Sequence, residues 1–229
     1  MKILFLNTWS YHEINNIKTF LKEQSKDTNV FCLQEVGKAA REMYKNIFSN
    51  YNEIFNFKDM KGDDDFHEAT YIKNDMEIVS NDYLLKEMLN VGTALNTKIK
   101  YNNKLINICN VHGTPRPKHK DDTKERIEQS QEILSFFQGL DEIKIIGGDF
   151  NLDPHTESIE MFEKNGYVNL IKKYKIPTTR NNLAWNKYPN NKQLFADYVF
   201  IKPDLNINKF SVPNLNVSDH LPMILDLNV

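Results

Sequence analysis

The side chains that could do chemistry sit where strand-like runs stop. Asn7 follows Ile3–Leu6, Glu35 comes just after Val30–Leu33, His112 follows Lys104–Val111, and Asp149 lies beyond Ile143–Ile146. Polar residues set just past strand ends in an α/β sheet converge on one mouth that the core holds rigid. Taken singly, each is also what an ordinary first loop residue looks like. In Gly147-Gly148-Asp149-Phe150-Asn151 an extended backbone aims residues 149 and 151 the same way, and the two glycines permit a close turn. The carboxylate is suited to accept a proton or bind a cation, and the carboxamide to orient a water or donate to an anionic oxygen. An Asx turn would use the same two residues. Ser218-Asp219-His220, with Asp197 before another strand, adds two carboxylates and an imidazole. A histidine held by a carboxylate has a fixed tautomer and a raised proton affinity, which suits contact with a phosphate or a leaving oxygen. A surface Asp-His pair capping a loop is the alternative.

Positioning these groups requires a sheet, and the apolar patterning supplies one. Ile3–Leu6 and Val30–Leu33 are apolar at every position, the mark of strands buried on both faces. Ile14, Ile17, Phe20 and Leu21 recur at helical spacing and predict a helix over 14–25, and Ala39, Ala40, Met43, Tyr44 and Ile47 predict a second. The middle third reads as antiparallel β-structure: Tyr51–Phe57, Ala69–Lys73, Met76–Val79, Val91–Ile99 and Lys104–Val111, with Asn102-Asn103 as a hairpin turn and Asp63, Asp64 and Asp65 as a solvated loop. Thr123–Phe137 is a helix with Asp121 and Asp122 expected as its first-turn carboxylates. Ser158–Lys164 is a short helix closed by Asn165-Gly166, residues 177–193 are a loop or lid, and Phe195–Ile201, Ile207–Val212 and Leu221–Leu227 complete the strands. Without a repeat or low-complexity linker, 1–229 is expected to be a single mixed α/β domain.

Composition excludes several classes. Apolar residues at 40% and charged residues at 26% argue against disorder, collagen or coiled coil. With 29 Lys and Arg against 31 Asp and Glu, the formal charge of −2 gives no general attraction to polyanions, so any such contact must be local. The longest apolar runs fall far short of the roughly 18 residues of a membrane span. Met1–Leu6 lacks the length and cleavage site of a signal peptide, so the cytoplasm is the expected compartment, with Cys32 and Cys109 as reduced, buried thiols. Nothing demands more than a monomer.

Leu33-Gln34-Glu35, Gly147-Gly148-Asp149-Phe150-Asn151, Asp197-Tyr198 and Ser218-Asp219-His220-Leu221-Pro222, in that order and spread over almost the whole chain, resemble the endonuclease/exonuclease/phosphatase superfamily, the fold of pancreatic-type deoxyribonuclease. The resemblance implies α/β architecture with two packed mixed β-sheets flanked by helices, a four-layer sandwich. It also implies a Mg²⁺-dependent phosphoesterase, with Mn²⁺ as the other hard cation. By residue, Glu35 matches the main metal ligand, with Asn7 and Asp219 beside it; their hard oxygens suit Mg²⁺ or Mn²⁺ and not zinc. Asp149 matches the carboxylate that orients or deprotonates the attacking water, Asn151 its partner, and His220 with Asp197 the pair that touches the scissile phosphate. His112 matches the second histidine of the deoxyribonuclease and sphingomyelinase branches, and Trp9 stands where the abasic-site repair branch carries an acidic residue. Glu68 is a candidate to support His112.

Arg116, Lys118, His119 and Lys120 form either a basic rim for substrate phosphate or a solvated loop partly neutralised by Asp121 and Asp122. Arg180 and Trp185 are candidates for substrate contact by charge and stacking, and Trp185 equally fits a residue pinning its loop. The expected activity is a nuclease cutting DNA or RNA by in-line water attack. The alternatives are a phosphatase or phosphodiesterase on a small or lipid phosphoester, and an inactive binding protein on the same fold.

Overall fold

The computed structural model describes residues 1–59 and 66–229, so the acidic run Asp63–Asp65 lies outside the described residues. The elements run β1 (Lys2–Asn7), a single 3-10 turn (Trp9–Tyr11), α1 (Ile14–Gln24), β2 (Val30–Gln34), α2 (Lys38–Ile47), β3 (Tyr51–Lys58) and β4 (Phe66–Lys73). Then come β5 (Glu77–Leu84), β6 (Thr93–Tyr101), β7 (Lys104–His112), α3 (Lys124–Phe137), β8 (Ile143–Asp149) and α4 (Glu157–Lys164). The chain finishes with β9 (Val168–Asn169), α5 (Leu170–Lys173), α6 (Asn182–Lys187), β10 (Asp197–Ile201), β11 (Asn206–Ser211) and β12 (Met223–Asn228).

Two six-stranded sheets result, ordered β11-β12-β1-β2-β4-β3 and β5-β6-β7-β8-β10-β9. Each has one parallel pair at its centre, β1 with β2 and β7 with β8, inside otherwise antiparallel pairing. The antiparallel middle third is therefore divided: β3 and β4 join the first sheet, and β5 to β7 build the second.

Alternation along β1 explains why every position is apolar. Ile3 and Phe5 face the second sheet, where Phe5 packs on β8, while Leu4 and Leu6 face Ile17, Leu21, Ala40 and Tyr44 of α1 and α2. Each such fully buried side chain contributes about 1.5–3 kcal/mol. On the far side α3 and α4 cover the second sheet with Ile133, Phe137, Ile159 and Phe162. The layers are helix, sheet, sheet, helix. At Gly147 a Cβ would lie 2.9 Å from the Phe5 ring, so glycine there sets how closely the sheets approach beside the mouth. A polar tie does the same: Gln34 Nε2 donates to Asn110 Oδ1, and Asn110 Nδ2 donates to Leu33 O and Ala69 O.

Two local expectations change. Asp122 caps α4, accepting from the backbone N–H of Glu157 and Ser158, while the α3 N-cap is Thr123, whose side chain accepts from Arg126 N. The stretch 177–193 contains α6, nucleated by Asn181, whose side chain accepts from Leu183 N. Cys32 and Cys109 are buried and free. No helix among the described residues is long and apolar enough to cross a membrane.

Candidate active site

Strand register builds the centre of the site. His112 on β7 pairs with Asp149 on β8, and Asp149 pairs with Asp197 on β10, so three polar residues stand in one row across the second sheet. In the facing sheet, Asn7 pairs with Gln34 at the ends of β1 and β2, which places Glu35 one residue further on. Both rows open into one cleft of about 400 Å³ that Glu35, His112, Asp149, Asn151, Arg180, Asp219 and His220 line.

Asn7 joins the two sheets. Its Nδ2 donates to Glu35 Oε1 at 3.0 Å and to Asp149 Oδ2 at 2.9 Å, while its Oδ1 accepts from Trp9 N. It is a neutral bridge between two carboxylates. Glu35 Oε2 accepts from Ser10 Oγ at 3.0 Å, a partner with no signal in the sequence beyond its nearness to Asn7. Glu35, Asn151, Trp9 and Ser10 all hold positive φ, at 57°, 56°, 50° and 47°, and all four line the cleft. Left-handed backbone costs about 1–3 kcal/mol at non-glycine positions and persists where surrounding structure fixes it, commonly at functional sites.

Asp149 is 1% exposed. Oδ1 accepts from Asn151 N at 2.9 Å, and Oδ2 from Asn7 and from Asn151 Nδ2. Burial alone would raise its pKa, but His220, Lys120, His112 and Arg180 outweigh burial and hold it below the ordinary carboxylate range. Asn151 Nδ2 also donates to Gly113 O, so the carboxamide is fixed on both sides.

His220 Nδ1 lies 2.9 and 3.0 Å from the two oxygens of Asp197. Burial and Arg180 oppose protonation of this ring, while Asp197, Asp149 and Asp219 favour it and prevail, raising its pKa. Arg180 meets Nε2 at 2.7 Å and Asp219 Oδ2 at 2.6 Å. An arginine only donates, so Nε2 carries the lone pair and Nδ1 the proton shared with Asp197. A second proton at Nε2 takes the place of the Arg180 contact. Asp149, Asp197 and His220 place ligand-capable atoms within 4.8 Å of one another, but Asp197 and His220 Nδ1 are spent on each other, which leaves a His–Asp pair beside Asp149 and not a metal cage.

His112 is nearly buried, and burial pulls its pKa down against Glu35 and Asp149. Among the described residues its Nδ1 has no hydrogen-bond partner, so no such bond ties it to Glu68. Glu68 instead accepts through Oε1 from Asn56 Nδ2 at 2.8 Å and from Thr93 Oγ1 at 3.1 Å. Burial raises its pKa to about 8 against those two hydrogen bonds. A carboxyl raised on folding leaves stability intact below its unfolded pKa and penalises the fold progressively as pH climbs toward the folded value. Glu68 is therefore expected to make the wild type lose stability relative to Glu68→Gln between pH 4.5 and about 8, as the difference between their melting curves across this window would show. A difference that stays constant with pH would contradict the assignment.

The rim divides the basic stretch. Arg116 and Lys118 are exposed on the lip of the cleft, whereas Lys120 is turned inward. Its neighbours Asp121 and Asp122 made it resemble a solvated charge, so nothing local signalled its burial. Gln193 Nε2 donates to Lys118 O at 2.7 Å, joining the two loops at one wall. Trp185 pins its loop, Nε1 donating to Gln193 O, and it lines the cleft with Trp9, Phe66 and Tyr188.

No curated protein matches the chain. Among solved structures, an endonuclease/exonuclease/phosphatase family protein from Bacteroides thetaiotaomicron superposes with a TM-score of 0.79 at 20% identity, covering 99% of this chain and 97% of that one. A mannosyl-6-phosphatase from the same species gives 0.76 at 18% identity, covering 100% of both chains. D. rerio TDP2 complexed with single-strand DNA product gives 0.75 at 15%, covering 100% of this chain and 99% of that one. At these identities the likeness establishes the fold, and the sequence itself settles the kinship: the profile described as Endonuclease/Exonuclease/phosphatase family matches residues 4–220, so the chain belongs to that family of phosphoester hydrolases.

Proposed function

We propose that this chain is a Mg²⁺-dependent phosphoester hydrolase that splits a P–O bond by in-line attack of water, on a small or chain-terminal phosphoester. The observation that carries the reading is the convergence of Glu35, Asp149, Asn151, Asp219 and the Asp197–His220 pair, drawn from both sheets, on one cleft. The donor set fits a hard divalent cation. Glu35 directs two oxygens whose side-chain partners are the neutral Asn7 and Ser10, Asp219 lies on the same cleft, and both cysteines are buried in the core away from it. Glu35 with Asp219 would hold the ion, and Asn7 would keep Glu35 in place. Such an ion supplies neutralisation of charge on the phosphoryl and leaving oxygens.

The remaining work falls to side chains. Asp149, kept ionised, orients a water that also faces Asn151. An incoming phosphate competes with Asp219 and His220 for Arg180, which frees His220 Nε2 to meet a phosphoryl or leaving oxygen. The tie between Gln193 and Lys118 walls one side of the cleft and favours a compact ester over an internal duplex bond. A nucleic-acid diester, the expectation from sequence, is the second reading, supported by Lys187 over Trp9 at 4.6 Å and Lys192 over Trp185 at 4.2 Å.

Phosphate release from a panel of sugar phosphates, nucleotides, inositol phosphates, sphingomyelin, RNA, single-stranded DNA and plasmid tests this directly. Turnover of small esters with Mg²⁺, lost on chelation and restored by the ion, is the expected result. Plasmid nicking without small-ester turnover would favour the second reading, and silence with every metal would refute both.

A further inference from the structure

A buried ammonium stands in the wall of the cleft, and beyond helping to keep Asp149 ionised it has no part in the steps above. Lys120 is 7% exposed, and its Nζ donates to Asn151 Oδ1, its one side-chain partner among the described residues. An ammonium has three N–H donors, so two remain for whatever enters the cleft. A purely structural role explains only the first. The backbone around Lys120 is already held without it: Arg126 donates to Pro117 O at 2.8 Å and to Asp121 O at 2.5 Å, and Asp153 N donates to Lys120 O. Asn151 is likewise already anchored by Gly113 O and Asp149.

The charges around Lys120 point the same way. Asp149 and Asp197 attract it, Arg180, Arg126 and His112 repel it, and no carboxylate forms an ion pair with it among the described residues. Burying an ammonium without a paired anion is unfavourable. Burial pushes its pKa down to about 8, which still leaves it charged at neutral pH.

We infer that Lys120 is a phosphoryl-binding residue, whose unpaired N–H donors meet a non-bridging oxygen of the substrate phosphate while its third holds the Asn151 carboxamide. The exposed Arg116 and Lys118 then attract and guide the anion, and Lys120 receives it. The inference rests on the phosphoesterase reading but is measured separately, with inorganic phosphate as the probe.

Lys120→Gln is the decisive variant, because its amide N–H can keep the Asn151 hydrogen bond while the charge is gone; Lys120→Met removes both. Titration calorimetry with inorganic phosphate at neutral pH should show binding by the wild type. Loss of a charge-assisted hydrogen bond should weaken it about 10- to 100-fold in both variants. Wild-type affinity should also decline above about pH 8, where the ammonium loses its proton, and the variants should show no such decline. Melting curves confirm that each variant is folded. A folded Lys120→Gln that binds phosphate within twofold of wild type would overturn the inference, as would a wild type that leaves millimolar phosphate unbound. Phosphate bound through Lys120 without Mg²⁺-dependent turnover of any ester would overturn the phosphoesterase reading alone.

Discussion

Asp197→Asn is expected to lower kcat by about 10³- to 10⁴-fold with little change in KM, the scale of loss when a histidine-orienting carboxylate becomes an amide. Both Asp197 oxygens lie within 3.0 Å of His220 Nδ1, so one of them must become an NH₂ group facing that nitrogen. Two donors then oppose each other unless the ring moves its proton to Nε2. At Nε2 the proton would point at Arg180, which is itself only a donor. The Nδ1–H tautomer then keeps only the amide oxygen as its acceptor, with the NH₂ group crowding the same nitrogen, and the anion that fixed the ring and supported a second proton on it is gone. Removing the carboxylate also removes one of the groups that raise the His220 pKa, so any rate limb set by this ring should move to lower pH. Single-turnover rates on the best ester, together with melting curves, check the claim. A folded variant within tenfold of wild type would show that the pair is structural.

The strand ends were legible because burial on both faces leaves a plain mark. Ile3–Leu6 and Val30–Leu33 have no polar position to spare, so Asn7 and Glu35 stand out as the places where the core stops. What no local pattern contains is which strands are neighbours. The row His112, Asp149, Asp197 exists because β8 sits between β7 and β10, a pairing that spans distant parts of the chain. The motif order carried that information indirectly, through resemblance to a known fold.

Other features were hidden for physical reasons. Helix α6 is six residues long, too short to develop a period, and its Asn181 cap is indistinguishable in composition from the surrounding Asn and Lys. Ser10 and Trp9 matter through left-handed backbone at a single turn, which residue type does not announce. Arg180 was identified as a charge but its position was not; a bridge between residues 180 and 220 brings it to His220 and Asp219.

Asp149→Ala is expected to cost about 10²- to 10³-fold in turnover, typical of removing one group that stabilises the reacting centre. His220, Lys120, His112 and Arg180 hold the Asp149 pKa down, so this carboxylate binds a proton poorly at neutral pH. Orienting water therefore suits it better than storing water's proton, and the rate should show no acid limb from this group near neutrality. The same depression fixes the sign of its stability effect. A carboxylate whose folded pKa lies below its unfolded value stabilises the fold above the unfolded pKa, and that contribution disappears as pH falls through the folded one. The part of the wild-type advantage over Asp149→Ala that comes from this carboxylate should accordingly be fully present above about pH 4 and vanish only in stronger acid. Four cationic or titratable neighbours lose their shared anion in the variant, so part of the rate loss arises from their displacement. Asn151 reports that part, since two of its hydrogen bonds end on Asp149. Asp149→Asn keeps the volume but turns one acceptor into a donor among the donors Asn7 and Asn151, and should be no more active than Asp149→Ala. Near-normal Mg²⁺-dependent turnover by either folded variant would remove Asp149 from the reaction.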